Sequence, residues 1–364
     1  FTGPKQFFNK FAVNYAKTMK SHLINKFVLF PYYLILKLRH YLYNSGIFKS
    51  YKFDIPVISI GNLSVGGTGK TPHTEYVVKE LMHFKRVAVL SRGYGRKTKG
   101  FRFVEIVDKA TDTGDEPLQI KRKFPTVTVA VDGDRVRGIK TLKEMDESVR
   151  PEVIILDDAF QHRRVIPSLS ILLIDYNLPP YEDNLLPFGK LRDLPSQMYR
   201  ADVVIVTKCP PEISNQEVFM WRSKLRIESH QKLYFSAISY AEPIAVFEEC
   251  DKRYTYSNFA ILITGVANPK PLEYHLLDRY KIIKKRRYGD HHAFTKRDAN
   301  SINKLSKKYS KAVIFTTEKD SQRLIHLSKL SAETRKKTFS LPIEVTILNQ
   351  NGENFLNLLK DCVL

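Results

Sequence analysis

Residues 57–71 read Val-Ile-Ser-Ile-Gly-Asn-Leu-Ser-Val-Gly-Gly-Thr-Gly-Lys-Thr, an apolar β-branched run that gives way at once to glycines and a Gly-Lys-Thr triplet. The run VISI (57–60) predicts a buried strand, and a helix opens at about Pro72. Between them Ser64, Val65, Gly66, Gly67, Thr68, Gly69, Lys70 and Thr71 keep the G-x-x-x-x-G-K-[ST] spacing, with Ser64 in place of the first glycine. Each residue type has a physical purpose there. Glycines let successive backbone N–H groups turn into one concavity around phosphate oxygens, and the helix N-terminus adds a favourable dipole. The lysine reaches outer phosphates, and the threonine hydroxyl suits Mg²⁺. The loop points to a nucleotide.

The same alternation continues. VAVL (87–90), VTVA (127–130), VIIL (153–156), ILLI (171–174) and VVIV (203–206) are separated by helical stretches, which predicts a mostly parallel α/β sheet covered on both faces. VIIL ends in Asp157-Asp158, carboxylates at the carboxyl end of a strand, where P-loop proteins hold magnesium. ILIT (261–264) and VIFT (313–316) begin a second, smaller α/β set. The expected organisation is a basic aromatic segment over 1–53, a P-loop domain over 54–245 and a smaller C-terminal α/β domain over 246–364.

Lys+Arg 59 against Asp+Glu 38 gives a net charge of +21, so the partner is expected to be anionic: nucleic acid, a phosphorylated ligand or an acidic membrane face. Residues 1–53 hold nine of the basic residues and no Asp or Glu. There Phe8, Phe11, Tyr15 and Met19 recur at helical spacing, and FVLFPYYLIL (27–36) is too short to span a bilayer. A membrane-associated helix in the headgroup region fits this segment, and so does a helix packed on the domain with its lysines in water. Cys209, Cys250 and Cys362 lack both disulfide-framework and zinc spacing, which suits a reducing compartment.

The loop alone leaves kinases, GTPase switches and ATPases open. Partitioning ATPases carry a lysine where this chain has Val65, and Thr207-Lys208-Cys209 lacks the Asn and Asp with which GTPases read their base. Transfer to a hydroxyl needs a carboxylate or imidazole to orient the nucleophile and take its proton. The candidates are Asp115 in Gly114-Asp115-Glu116-Pro117 and the Asp290-His291-His292 group. A capped turn and a pair of surface histidines are the plain alternatives.

Together the motifs Gly61 to Pro72, Ser91-Arg92-Gly93-Tyr94-Gly95-Arg96, Gly114 to Pro117, Asp157-Asp158-Ala159-Phe160-Gln161-His162-Arg163 and Thr317-Glu318-Lys319-Asp320 closely resemble the tetraacyldisaccharide 4′-kinase family of lipid A biosynthesis. The resemblance implies two hinged α/β domains at the cytoplasmic face of a bacterial inner membrane, peripheral or monotopic. The implied reaction moves the ATP γ-phosphoryl to the 4′-hydroxyl of a tetraacyldisaccharide 1-phosphate. By the same resemblance Lys70 serves the phosphates, and Thr71, Asp157, Asp158 and Glu116 are oxygen ligands for Mg²⁺. Asp115 is the catalytic base with His291 as its partner, and Arg92, Arg135, Gln161 and Arg192 meet the lipid. The implied partners are an anionic acylated disaccharide and the membrane surface, with no nucleic acid and no obligate protein. Ala159 departs from the usual glycine and is expected to alter the local backbone. A nucleotide-driven switch or a nucleic-acid ATPase is the competing reading of loop and charge.

Overall fold

The computed structural model describes residues 29–266, 268–290, 292–349 and 351–364, so the Phe8 to Met19 pattern and His291 lie outside the described residues. The first described helix, α1, covers 29–44. Strands β1 (Val57–Asn62) and β2 (Val87–Ser91) flank α2 (Lys70–Leu81). After them come β3 (Arg102–Phe103), α3 (Ala110–Thr113), α4 (Asp115–Lys123), β4 (Thr128–Val131), α5 (Arg135–Lys143), β5 (Val153–Asp157), β6 (Leu169–Asp175), β7 (Val203–Thr207), α6 (Asn215–Leu225) and β8 (Lys232–Tyr240). These strands enter one nine-stranded sheet, joined by β14 (Ile343–Ile347) from the end of the chain, in the order β14-β8-β7-β6-β1-β5-β2-β4-β3. Only β3 and β14 run antiparallel to their neighbours.

Every residue of β1, β2, β5 and β7 is buried, because helices cover both faces and leave no side of these strands for water. On one face Ile58 and Ile60 pack with Val77 of α2, Leu118 of α4 and Phe355 of the C-terminal helix. The other face takes Leu29 and Leu36 of α1 with Trp221 of α6, and separately Val136 and Ile139 of α5.

A five-stranded sheet holds β9 (Ile244–Ala245), β10 (Phe259–Thr264), β11 (Lys281–Arg287), β12 (Val313–Thr317) and β13 (Thr338–Leu341) in the order β11-β10-β12-β13-β9. Its helices are α7 (Lys270–Leu277), α8 (Lys296–Lys308), α9 (Glu318–Leu324) and α10 (Ala332–Lys336). The chain then returns through β14 to the larger sheet, and α11 (Gly352–Val363) packs Phe355 beside Val77. A single smaller unit over 246–364 therefore does not describe the end of the chain: hydrogen bonding to β8 gives residues 343–347 to the larger sheet. Among the described residues no helix is long and apolar enough to cross a membrane.

The strand order reverses at β1, with β5, β2 and β4 on one side and β6, β7 and β8 on the other. Connections leave opposite ways from such a point and open a crevice beyond the carboxyl ends of the strands. Asn62 and Asp157 stand at that edge.

Candidate active site

The loop after β1 is shaped by its glycines. Gly66 has φ of 107° and Gly69 a φ of 88°, a left-handed region that strains any side chain. Gly69 is the residue before α2, makes no side-chain cap, and no acidic residue occupies the first helical turn. The N–H groups of that turn are thus left for an anion. Ser64 does not have a positive φ, so the missing first glycine costs no strain. The loop is pinned from outside: Val65 N donates to Lys190 O (2.7 Å), Asn62 Nδ2 to Thr68 Oγ1 (2.7 Å) and Thr207 Oγ1 to Thr68 O (2.9 Å). His73 lies under it, its Nδ1–H donating to Gly69 O (2.7 Å) and its Nε2 accepting from Ser236 Oγ (2.8 Å). Burial, reinforced by the Lys208 charge and opposed by the Gly69 bond, lowers His73 to about 4, which keeps it neutral.

The two aspartates diverge. Asp157 is buried, accepts hydroxyl bonds from Thr74 (3.1 Å) and Ser91 (3.3 Å), and is pushed up to about 7 by burial and then by the charges of Glu116 and Asp158. Asp158 has φ of 49° and turns toward basic groups. Arg192 Nη1 donates to Asp158 Oδ2 (3.1 Å), its Nη2 donates to Oδ1, and Lys70 Nζ is 3.9 Å from Oδ1. Burial raises Asp158, but the Arg192 hydrogen bond and the Lys70 charge outweigh it and hold the group below its ordinary value. Arg192 Nη2 also donates to Asn62 Oδ1 (2.5 Å), so one guanidinium links both sides of the loop. The left-handed residue is Asp158 and not its neighbour, so Ala159 alters nothing that a glycine would preserve.

Asp115 begins α4 behind Gly114, whose φ of 94° redirects the chain out of α3. Its carboxylate is nearly buried and faces the smaller sheet's α9: Arg323 Nε is 3.7 Å from Asp115 Oδ2. Lys319, one turn earlier, lies 3.6 Å from Glu116 and 3.8 Å from Asp290. His292 is engaged elsewhere, its Nε2–H donating to Asp298 Oδ2 (3.0 Å) and its ring stacked on Tyr288 at 4.5 Å. Lys319 and Arg323 are basic residues that no motif role singles out. Lys319 sits in the quoted Thr317 to Asp320 motif, and Arg323 stands three residues beyond Asp320, on the same helical face.

The residues expected to meet lipid are not equivalent. Arg92 is exposed after β2. Gln161 donates to Asn62 O (2.7 Å), and its own carbonyl accepts from Arg39 of α1 (2.5 Å). Arg135 is only 2% exposed, donating to Asp132 O and Asp157 O beneath the aspartates, so in this arrangement it has no surface to offer a lipid. Burial lowers it to about 10, against the pull of Asp157 and Asp158. Missed altogether was the grip of α1 on this region: His40 Nε2 lies 2.6 Å from Asp193 Oδ1, and Tyr32 OH donates to Arg192 O (3.3 Å). Neither His40 nor Asp193 stands in a motif, so the sequence carried no signal for the pair.

A family model described as Tetraacyldisaccharide-1-P 4'-kinase (LpxK) matches residues 26–362. A Tetraacyldisaccharide 4'-kinase of Phocaeicola vulgatus is 42% identical over 332 residues, 90% of this chain and 91% of the relative. That of Bacteroides fragilis strain YCH46 is 43% identical over 327 residues, 87% of each. The crystal structure of "apo" form LpxK from Aquifex aeolicus in complex with ATP superposes with a TM-score of 0.70 at 28% identity, covering 93% of this chain and 99% of that one. A phosphate loop closed by Lys70 and Thr71, an acidic strand end and a shielded Asp115 thus sit in a chain that belongs to the tetraacyldisaccharide 4'-kinase family.

Proposed function

We propose that the protein moves the γ-phosphoryl of ATP to the 4′-hydroxyl of a tetraacyldisaccharide 1-phosphate, acting peripherally at the cytoplasmic face of a bacterial inner membrane. The observation that carries this reading is the meeting of a phosphate loop with a shielded carboxylate. Helix α4, which opens with Asp115, packs on α2 through Gln119 Nε2 donating to Glu75 Oε1 (2.6 Å), and the charge of Glu116 in its first turn reaches Asp157 at the acidic strand end. Lys70 and the amides of Gly66, Gly67, Gly69, Lys70 and Thr71 hold the ATP phosphates, while Val65 N–H is committed to Lys190 O and Thr68 N–H to Gly66 O. Asp115 accepts the proton of the attacking hydroxyl, with His291 as its partner, and general-base assistance of this kind contributes about 10²–10⁴-fold.

The oxygen donors fit Mg²⁺. Among the described residues no cluster of three His, Cys, Asp or Glu side chains is poised for a metal, but Mg²⁺ normally takes one or two carboxylates and completes its shell with water and substrate phosphates. Burial and then the crowding by Glu116 and Asp158 push Asp157 up, and a divalent cation relieves that crowding. Thr71, Asp157, Asp158 and Glu116 are the residues that would hold the ion, whose chemistry is neutralisation of charge on the outer phosphates. Arg92, Gln161 and Arg192 serve the anionic sugar lipid, and Arg135 braces the aspartates from below. The acyl chains account for the apolar outer surface of α1, where Phe30, Leu34, Ile35, Leu38 and Tyr41 are exposed.

Purified protein given γ-labelled ATP and tetraacyldisaccharide 1-phosphate in mixed micelles should label the lipid without nucleic acid or a protein partner. Asp115→Asn should lower turnover by about 10²-fold or more while leaving ATP binding unchanged. Label released only as inorganic phosphate, and only when RNA or DNA is added, would make the protein a nucleic-acid ATPase instead.

A further inference from the structure

The guanidinium of Arg323 joins three parts of the molecule. Its Nη2 donates to Asp320 Oδ1 (2.7 Å), its Nη1 donates to the His292 carbonyl (2.8 Å), and its Nε faces Asp115 Oδ2 at 3.7 Å. The side chain is 8% exposed and Asp115 9%, so this takes place out of bulk water. Asp320 is fully buried and is itself fixed by bonds from Gly265 N (2.8 Å) and Thr317 Oγ1 (2.8 Å), which sets the guanidinium plane. Phe294 lies below it, 6.0 Å from ring centre to guanidinium carbon. Two of the three nitrogens are therefore committed within the smaller unit. The third is a buried donor that makes no hydrogen bond among the described residues.

A buried N–H without a partner is rare enough to require a cause. Here the Asp115 carboxylate lies across the interface, close enough for charge attraction and a few tenths of an ångström too far for a hydrogen bond. Catalytic bonds are often long in the absence of substrate and shorten in the reacting complex.

We infer that Arg323 is a positioning residue for phosphoryl transfer: it fixes the Asp115 carboxylate of the larger unit against the His292 backbone of the smaller one, so the proton acceptor is aligned only while the two units are in contact. This rests on Asp115 being the proton acceptor. An equivalent side chain that merely held α9 in place would lose stability when removed, but its effect on turnover would not depend on whether Asp115 is present.

The test is a double-mutant cycle on the full chain, with turnover measured on the lipid acceptor and ATP affinity measured by direct binding. Arg323→Gln should lower kcat by about a hundredfold, the scale of a misplaced reacting group, and change ATP affinity less than about twofold. Arg323→Lys should recover part of that loss. On the Asp115→Asn background, Arg323→Gln should cost less than about threefold, because residues acting as one unit are not additive. A full hundredfold loss on that background, an equal fall in kcat and ATP affinity, or wild-type kcat in Arg323→Gln overturns the inference. If Arg323→Gln does not fold, Arg323→Met carries the same cycle. Wild-type turnover in Asp115→Asn alone instead removes the proton-acceptor reading, and the inference with it.

Discussion

His73 shows how much one side chain beneath the phosphate loop is asked to do. Burial and the Lys208 charge keep it neutral, with Nδ1–H donated to the carbonyl of Gly69, the residue whose left-handed turn opens α2, and Nε2 accepting from Ser236. The unfolded chain binds a proton at this position below about pH 6.5, and the folded one resists it down to about 4, so folding stability from His73 falls as pH drops through that window. Between pH 7 and pH 5 the loss is about 2 kcal/mol. His73→Gln removes the titration, so the difference in unfolding free energy between wild type and variant should move by that amount in urea titrations at the two pH values. A difference independent of pH would mean that the imidazole titrates in the fold as it does in the unfolded chain. At the same scale, the two departures from the motif pattern prove harmless for reasons visible only in backbone angles. Ser64 has an ordinary φ, and the strained position in the acidic turn is Asp158, where Arg192 and Lys70 compensate for a φ of 49°.

Elements differ in how far their sequences reveal them. The central strands were legible because burial on both faces demands continuous apolar runs, as in VIIL and VVIV. Edge strands were not: β11 is Lys-Ile-Ile-Lys-Lys-Arg-Arg, a run that reads as a charged surface, and it stands at the margin of its sheet with Lys285 and Arg287 paired to Glu273. The nine-residue β8 was also unmarked, since only Tyr234, Phe235 and Ser236 at its centre are buried and the rest is partly or fully exposed. Helix α1 was half legible. Its aromatic run was visible, but the helix continues past Lys37 and Arg39 to residue 44, and its inner face grips the loops that bear Gln161 and Arg192. The outward face reverses the usual arrangement of a surface helix, with Ile35 62% and Leu38 58% exposed. Burial of each such side chain in a bilayer interface is worth about 1.5–3 kcal/mol. Ile35→Glu with Leu38→Glu should therefore weaken association with anionic vesicles by more than about tenfold in sedimentation assays while ATP binding stays intact. Unchanged sedimentation would reject α1 as the docking surface.

At the scale of the whole molecule the two sheets are held by charge as well as by chain connections. Lys123, at the end of the helix that starts with Asp115, reaches Glu75 on α2 (2.6 Å) and Glu318 on α9 (3.3 Å), and Glu318 accepts the N–H of Ile343 (3.0 Å) where the chain re-enters the larger sheet. The partners are 48 and 195 residues apart in sequence, which is why no local pattern announces them. Glu75 is pushed up to about 7 in spite of its lysine: burial dominates, Lys123 opposes it, and the Glu318 charge adds to it. The network therefore holds two carboxylates that need the same cation. Lys123→Met leaves both without it, and breaking a buried pair from one side costs about 3–5 kcal/mol, whereas removing the charges together is often close to neutral. The single variant should lose about that much stability in urea unfolding, and Glu75→Gln added to Lys123→Met should restore a large part, because one orphaned carboxylate is then gone. Equal losses in the single and the double variant would mean that Lys123 contributes through packing of its aliphatic stem. The ionic link would then be a consequence of the contact between α4 and α9 and not one of its causes.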